Sequence, residues 1–238
     1  MNEPQYLALV RHGKSFANVE IEKTQGGLFY AISGSDREIG ITPEGEWESE
    51  RAGRILARLF PSHFPISHVW HSEFRRIDQT SSLIARCLGY PLRPIVDKRL
   101  NKRSYGSFWN LTYQGVHELH RHEHEIFNAL GPLKYRPPEG ENFYDLFERV
   151  DDFMFSTLNQ VTGNQLVVGH SAVLLAMQRQ LDGLPDLDVV DLYETVSLPN
   201  GYVMLYRRDN NTSPWKRVFL SDYLFGDYGC LPEAALVA

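Results

Sequence analysis

Two histidines in this chain each follow a short run of apolar residues. Leu7 to Val10 forms one such run, and Arg11 and His12 come directly after it. Leu166 to Val168 forms the second run, and His170 follows it after one glycine. Short apolar runs are typical of buried strands, and open α/β sheets bind ligands at the carboxyl ends of their strands. Both histidines are therefore predicted to lie at strand ends, where a ligand can reach them.

A pair of arginines opens a predicted helix between these two strands. His68 to Trp70 fits a short strand, and the residues after it suit a helix buried on one face, with Arg75 and Arg76 in its first turn. Cations at a helix N-terminus oppose the helix dipole, which is unfavourable unless an anion is bound nearby. The alternative for Arg76 is a solvated position on the helix, paired with Asp78 or Glu73.

Two imidazoles and two guanidinium groups together suit phosphoryl transfer. Guanidinium groups bind the non-bridging oxygens of a phosphate ester in pairs. A neutral imidazole can attack phosphorus, and neighbouring cations keep it neutral because they disfavour the imidazolium. Water then attacks the phosphohistidine, while positioning and charge stabilisation do most of the catalytic work. This chemistry predicts no metal and no other cofactor.

The composition favours a small anionic substrate over a polymer or a membrane. The 238 residues carry a net charge of −6, with 42% hydrophobic and 23% charged residues. An acidic protein gives no general reason to expect nucleic-acid or membrane binding. The segment Arg93 to Arg103 nevertheless holds five cations and one anion. This local excess of positive charge indicates an anionic small molecule, and we expect a small phosphorylated metabolite.

Cysteine usage and the chain ends bear on the compartment. Cys87 and Cys230 lie far apart and outside any zinc-ligand pattern, so no disulfide framework is expected. Met1 to Tyr6 lacks the features of a secretion signal, and no apolar run is long enough to span a membrane. We expect a cytoplasmic protein. Leu231 to Ala238 fits either a tail or an interface between copies, which leaves a homo-oligomer open.

The remaining segments predict a single α/β domain over residues 1–238. Thr42 as cap and Pro43 at the first helical position begin a helix that ends near Leu59. Further predicted elements are helices over 112–129, 140–161 and 172–181, strands over 91–96, 202–206 and 217–220, and a loop over 131–140. Two segments, 19–40 and 103–139, are predicted to form a lid that shapes the site.

The motifs resemble those of the histidine phosphatase superfamily, which includes the cofactor-dependent phosphoglycerate mutases. The resemblance extends from Leu7 to about Leu205. It is carried by four segments: Leu9 to Ser15, Ser72 to Thr80, Gly140-Glu141 followed by Arg149-Val150, and Val168 to His170. It implies a phosphoglycerate mutase-like fold, with three α/β/α layers and a mostly parallel central sheet.

The resemblance also implies roles for particular residues. His12 corresponds to the nucleophile of a metal-independent phosphatase. The residues that would hold the phosphoryl group are Arg11, Arg76 and His170. Asn18 falls where the family often has an asparagine contacting phosphate, while Arg103 and Tyr105 match positions that contact substrate in the mutases.

One position departs from the family pattern, because Lys102 stands where the family carries a glutamate as general acid. Protonation of the leaving oxygen is typically worth roughly 10² to 10⁴ in rate, so its loss should cost most with alkoxide leaving groups. Lys102 is also a candidate substrate-binding residue.

Three explanations of the lysine are open. In the first, neighbouring arginines tune Lys102 so that it donates the proton itself. In the second, a carboxylate such as Glu141, Asp36 or one within 118–125 replaces the glutamate, or the substrate has a good leaving group. In the third, the protein binds phosphorylated ligands and hydrolyses them weakly.

A true phosphoglycerate mutase is less expected than a phosphatase. The general acid is missing, and Tyr113 aligns with a lysine that the mutases carry. Tyr113, Phe108 and Trp109 fit either a pocket for a larger organic phosphate or packing beneath the lid.

A histidine cluster in the lid segment is the other feature to consider. His117, His120 and His124 share one face of the predicted helix. No HExxH pattern is present, and the intervening acids suit an exposed helix. No metal site is therefore expected, and contact with the substrate is an alternative role for these histidines.

Overall fold

The computed structural model describes residues 4–24 and 26–221. Within these residues, six strands form one mixed sheet in the order β3-β2-β4-β1-β5-β6. The strands are β1 (Gln5–Arg11), β2 (Ile66–His71), β3 (Pro94–Val96), β4 (Asn164–Gly169), β5 (Val203–Arg208) and β6 (Lys216–Leu220). Strands β1 to β4 run parallel to one another, β5 pairs antiparallel with β1, and β6 pairs antiparallel with β5. The predicted, mostly parallel sheet is therefore confirmed.

Helices cover both faces of the sheet. The described helices are α1 (Phe16–Lys23), α2 (Pro43–Leu59), α3 (Arg75–Leu88), α4 (Tyr113–Leu119), α5 (Arg121–Lys134), α6 (Phe143–Ser156), α7 (Ser171–Asp182) and α8 (Asp186–Thr195). Strand β1 shows how the layers arise. Leu7 and Leu9 pack into the core beneath α6 and α7, whereas Ala8 and Val10 pack into the core beneath α2 and α3. Alternate side chains of a strand point to opposite faces, so the apolar run of β1 serves two cores and the three-layer prediction is confirmed.

The lid segments differ from their prediction in two places. Residues 19–40 contain most of helix α1, because the Ser15 and Asn18 side chains form a capping box that begins it. Residues 112–129 form two helices, since the backbone of His120 (φ −134°, ψ 52°) breaks the helical path. Helix α5 then continues past a kink at Gly131 to Lys134, so the loop predicted over 131–140 begins later.

Two other helix predictions were also incomplete. The helix predicted to reach Val161 ends at Ser156, and residues Leu158–Gln160 form a 3₁₀ turn instead. Helix α8 was not predicted, although Pro185 precedes it and Asp186 and Asp188 occupy its first turn. Such acids complement the helix dipole, and they are the signal that sequence reasoning overlooked.

The turn after β1 packs directly against the start of α2. The Thr42 side chain accepts a hydrogen bond from the Gly45 N–H at 3.1 Å and caps α2. A Cβ atom on Gly13 would lie 2.1 Å from the Gly45 carbonyl oxygen, and one on Gly45 would lie 2.2 Å from the Lys14 carbonyl oxygen. Both glycines therefore permit a backbone contact that holds the turn carrying His12.

No helix in the described ranges is both long and apolar enough to cross a membrane. Cys230 and the segment Leu231 to Ala238, which the sequence left as a tail or an interface, lie outside the described residues.

The contact between Gly45 and the β1 turn predicts the effect of a methyl group. Gly45→Ala should lower the free energy of unfolding by about 1–3 kcal/mol, because the new Cβ overlaps backbone atoms. On an exposed helical position the same change would stabilise the protein by about 1 kcal/mol. Urea unfolding measures the difference, with Glu46→Ala on the exposed face as the control. An unchanged or higher stability for Gly45→Ala would contradict this packing.

Candidate active site

Adjacent parallel strands bring the two histidines together. Strands β1 and β4 pair so that Arg11 lies opposite Gly169, and the His12 N–H donates to the Gly169 carbonyl at 3.1 Å. The ring centroids of His12 and His170 are 5.3 Å apart. Both side chains are buried. The structure therefore places the two predicted imidazoles side by side at the carboxyl edge of the sheet.

A backbone hydrogen bond sets the protonation of His12. Its Nδ1 lies 2.8 Å from the Gly13 carbonyl oxygen, which can only accept, so Nδ1 carries the proton and Nε2 keeps its lone pair. Burial lowers the pKa of His12 well below its ordinary value of 6.5, and the charges of Arg76 and Arg11 lower it further. The ring is therefore neutral at neutral pH, with a nucleophilic nitrogen available.

His170 is held through Nε2, whereas His12 is held through Nδ1. Its Nε2 lies 2.9 Å from Ser72 Oγ, and the Phe74 ring packs against it at 4.8 Å between centroids. Burial lowers the pKa of His170 well below 6.5, with Arg76 and His12 as further causes. Within the described residues, its Nδ1 has no hydrogen-bond partner. The ring is therefore neutral and positioned.

Arg76 is buried, so the solvated alternative for this residue is wrong. Its Nη1 donates to the Asp36 backbone oxygen at 2.8 Å and to Asp36 Oδ1 at 3.0 Å. The guanidinium also lies over the Phe74 ring, 4.7 Å from its centroid. Glu73 pairs with Arg37 instead. The counter-charge for Arg76 thus comes from a segment 40 residues away in sequence.

Asp36 also binds Lys102. Its second oxygen, Oδ2, lies 2.9 Å from Lys102 Nζ. Burial raises the pKa of Asp36, but the charges and hydrogen bonds of Lys102 and Arg76 outweigh burial and hold the pKa below its ordinary value. Asp36 is therefore a carboxylate at neutral pH, bridging two cations.

Glu141, another acid considered from the sequence, has a structural role. Its carboxylate receives two hydrogen bonds from Arg149, at 2.6 and 3.0 Å, and one from the Ser104 N–H at 2.9 Å. These bonds fix the loop that carries Lys102 and Arg103. Both carboxylate oxygens of Glu141 are thus engaged in holding this loop.

The remaining predicted residues line the same cleft. Asn18 Oδ1 accepts from the Ser15 N–H at 3.1 Å and caps α1. Arg103 lies between the rings of Tyr105 and Phe143, at 4.9 and 4.5 Å from their centroids. The Tyr105 hydroxyl is 2.8 Å from that of Tyr193. Tyr193 carries no sequence signal, because helix α8 brings it to the site only in the folded chain.

The cleft has a charged inner end and an aromatic outer wall. Its volume is about 650 Å³. The inner end is lined by Arg11, His12, Arg76, Lys102 and His170. The outer wall includes Tyr30, Phe108, Trp109, Tyr113, Phe127 and Tyr135. These wall residues all come from the two segments predicted to cover the site.

The histidine cluster of the lid packs with aromatic rings. His117 and His124 have ring centroids 4.7 Å apart, His124 Nε2 lies 2.7 Å from the Tyr113 hydroxyl, and His120 packs against Phe108. Because one helix ends and the next begins at His120, the three histidines do not share one helical face. The described residues contain no group of three ligands able to hold a metal ion.

The family model of the histidine phosphatase superfamily, branch 1, matches residues 7–216. The chain belongs to this superfamily. A 2,3-bisphosphoglycerate-dependent phosphoglycerate mutase of Cytophaga hutchinsonii is 27% identical to this histidine phosphatase homologue over 209 residues, which cover 87% of this chain and 91% of that protein.

Solved structures of the same fold include two proteins named as phosphatases. The α-ribazole phosphatase of Shigella flexneri has a TM-score of 0.67 and 19% identity, over 89% of this chain and 95% of that one. A mycobacterial glucosyl-3-phosphoglycerate phosphatase has a TM-score of 0.62 and 18% identity, over 90% of this chain and 97% of that one. At these identities the likeness shows only the fold. The reaction of this protein has to be inferred from its own site.

The buried neutral histidines predict a loss of stability in mild acid. In the unfolded chain each imidazole binds a proton below about pH 6.5, whereas the folded site resists it. The free energy of unfolding should therefore fall as pH drops below 6.5, by about 1.4 kcal/mol per pH unit for each such histidine.

Urea unfolding between about pH 6.5 and 5, in phosphate-free buffer, measures this slope. His170→Gln should make the slope shallower, and the exposed His122→Gln should not change it. Equal slopes for wild type and His170→Gln would contradict the burial of a neutral His170.

Proposed function

We propose that this protein hydrolyses a small phosphate monoester through a phosphohistidine at His12, without a metal. The observation that carries the proposal is a neutral, buried imidazole with a free Nε2 lone pair beside two arginines. Such a nitrogen attacks phosphorus, while the surrounding cations stabilise the charge that develops on the phosphoryl oxygens.

In the proposed reaction, the phosphoryl group occupies the inner end of the cleft. Arg11 and Arg76 bind its oxygens, and His170 offers Nδ1, a ring atom with no hydrogen-bond partner among the described residues. His12 Nε2 forms a bond to phosphorus as the bond to the leaving oxygen breaks. Water then attacks the phosphohistidine, which releases inorganic phosphate and restores neutral His12. The protein backbone at Gly13 keeps the proton on Nδ1 throughout.

The outer wall of the cleft favours an uncharged, largely apolar leaving group. Outside the inner end, Arg103 is the only arginine or lysine among the described residues that line the cleft. Arg103 is buried between two rings and donates its Nε to the Glu141 backbone oxygen at 3.3 Å. Glu194, from helix α8, adds a carboxylate to the lining of the cleft, and its charge interacts with that of Arg103. A leaving group with its own carboxylate or phosphate would therefore meet little positive charge there.

A phosphoglycerate mutase is the second candidate, supported by the names of the relatives at 27% identity. A phospholigand-binding protein is the third, because the resemblance puts Lys102 where the family carries its general acid, and this lysine is paired with Asp36. A mutase would release an isomerised phosphate ester and a binding protein would release no product, whereas the proposed phosphatase releases inorganic phosphate.

Phosphoenzyme formation separates catalysis from binding. After incubation with 4-nitrophenyl phosphate and acid-free quenching, wild type should carry an acid-labile phosphoryl group, detected by intact mass. His12→Ala should carry none, since it lacks the attacking nitrogen, whereas the exposed His122→Ala should match wild type. Absence of phosphoenzyme in wild type would favour the binding protein.

Substrate preference tests the apolar wall. The kcat/KM for 1-naphthyl phosphate should exceed that for 3-phosphoglycerate by at least roughly tenfold, equivalent to about 1.4 kcal/mol. Phe127→Ala should reduce kcat/KM for 1-naphthyl phosphate more than for acetyl phosphate, because only the former reaches the wall. Phe155→Ala, on an exposed surface, is the control. Preferential use of 3-phosphoglycerate, with isomerised product, would support the mutase.

A further inference from the structure

We infer that Lys102 is the proton donor to the leaving oxygen and that Asp36 is the residue that positions it. This inference rests on the proposed phosphohistidine reaction. It assigns the task of the absent glutamate to a lysine from one segment and a carboxylate from another.

The first observation is the place of the ammonium group. Lys102 lines the inner end of the cleft together with His12, His170 and Arg76, whereas Asp36 is absent from the described lining. The charge of Lys102 contributes to the lowered pKa of both histidines. Of the two partners, Lys102 is therefore the one that faces the reacting phosphoryl group.

The second observation is how Asp36 holds that ammonium. One carboxylate oxygen binds Lys102 Nζ at 2.9 Å, and the other binds Arg76 Nη1 at 3.0 Å. The Asp36 backbone oxygen accepts a further bond from Arg76 Nη1. Asp36 thereby ties the lysine to the guanidinium that binds phosphate. The ammonium has three N–H groups. One of them donates to the Asp36 carboxylate, and two others are left for another acceptor.

The other acids near the cleft fit the task less well. The lowered pKa of Asp36 leaves it ionised, so it has no proton to give at neutral pH. Glu141 is engaged by Arg149. Burial raises the pKa of Glu194, and the cation that opposes this rise is Arg103, which lies outside the inner end of the cleft. Glu194 is therefore the rival that an experiment must exclude.

The proton transfers balance over the two steps. As His12 Nε2 bonds to phosphorus, the ester P–O bond breaks and the leaving oxygen takes a proton from the Lys102 ammonium, which becomes an amine. In the second step water attacks phosphorus, the N–P bond breaks, and the amine takes the proton that the water gives up. Lys102 is again an ammonium, and His12 is again neutral.

The inference predicts a dependence on the leaving group. A lysine ammonium and a phenol are acids of similar strength, so proton donation gains little for a phenolate and much for an alkoxide. Benzyl phosphate and 4-nitrophenyl phosphate have similar ring sizes, which suit the same wall, but they release an alkoxide and a stabilised phenolate. Comparing the rates on these two substrates therefore separates the effect of proton donation from the effect of binding.

The experiment measures the rate of phosphoenzyme formation in a single turnover with each substrate. Lys102→Met and Lys102→Arg should lose roughly 10² to 10³ on benzyl phosphate and less than about tenfold on 4-nitrophenyl phosphate. Arginine keeps the positive charge but does not give up its proton in proteins. Lys98→Met, at an exposed position of the same loop, should match wild type. Thermal unfolding shows that each variant is folded.

Asp36 is tested as a positioning residue. Asp36→Asn should lower the rate on benzyl phosphate more than on 4-nitrophenyl phosphate, and Asp36→Glu should recover part of the difference. A purely structural role would lower both rates equally. Glu194→Gln should leave unchanged the ratio of the rate on benzyl phosphate to the rate on 4-nitrophenyl phosphate.

Two results would overturn the inference while the proposed function stands. Lys102→Arg with wild-type rates on benzyl phosphate would make the lysine only a cation, and a selective loss in Glu194→Gln would make Glu194 the donor. Absence of phosphoenzyme from 4-nitrophenyl phosphate in wild type would instead overturn the proposed function, and this inference with it.

Discussion

The structure depends on keeping His12 neutral while it is buried among cations. A charged imidazole would lose its hydration there and would face Arg11 and Arg76, so both burial and charge favour the neutral ring. The Gly13 carbonyl then decides which nitrogen keeps the proton. Because that carbonyl belongs to a turn packed against Gly45 of helix α2, the orientation of the His12 ring follows from backbone packing.

The same site must hold buried positive charge when no phosphate is bound. An isolated buried cation is costly unless it is paired. Asp36 supplies an internal anion that contacts both Arg76 and Lys102. Lys102 is therefore part of a network in which one carboxylate serves two cations.

Individual elements show how far sequence reasoning reached. Helix α2 was predicted with its observed ends, because Thr42, Pro43 and Pro61 are local signals for starting and stopping a helix. The lid was predicted less well. The kink at Gly131 has a local signal in the pair Gly131-Pro132. The break at His120 has neither a glycine nor a proline, so local propensity does not announce it.

The sequence by itself determined the strand ends that carry His12 and His170, the helix that carries Arg76, and the superfamily to which they belong. Apolar runs and turn residues are local, and the chemistry of an arginine or imidazole travels with its residue type. Only the tertiary structure decided that Asp36 pairs with Arg76 and Lys102, that Glu141 accepts from the Ser104 N–H, and that Tyr193 joins the cleft. Those contacts join segments far apart in the chain, and their geometry is set by packing of the whole domain.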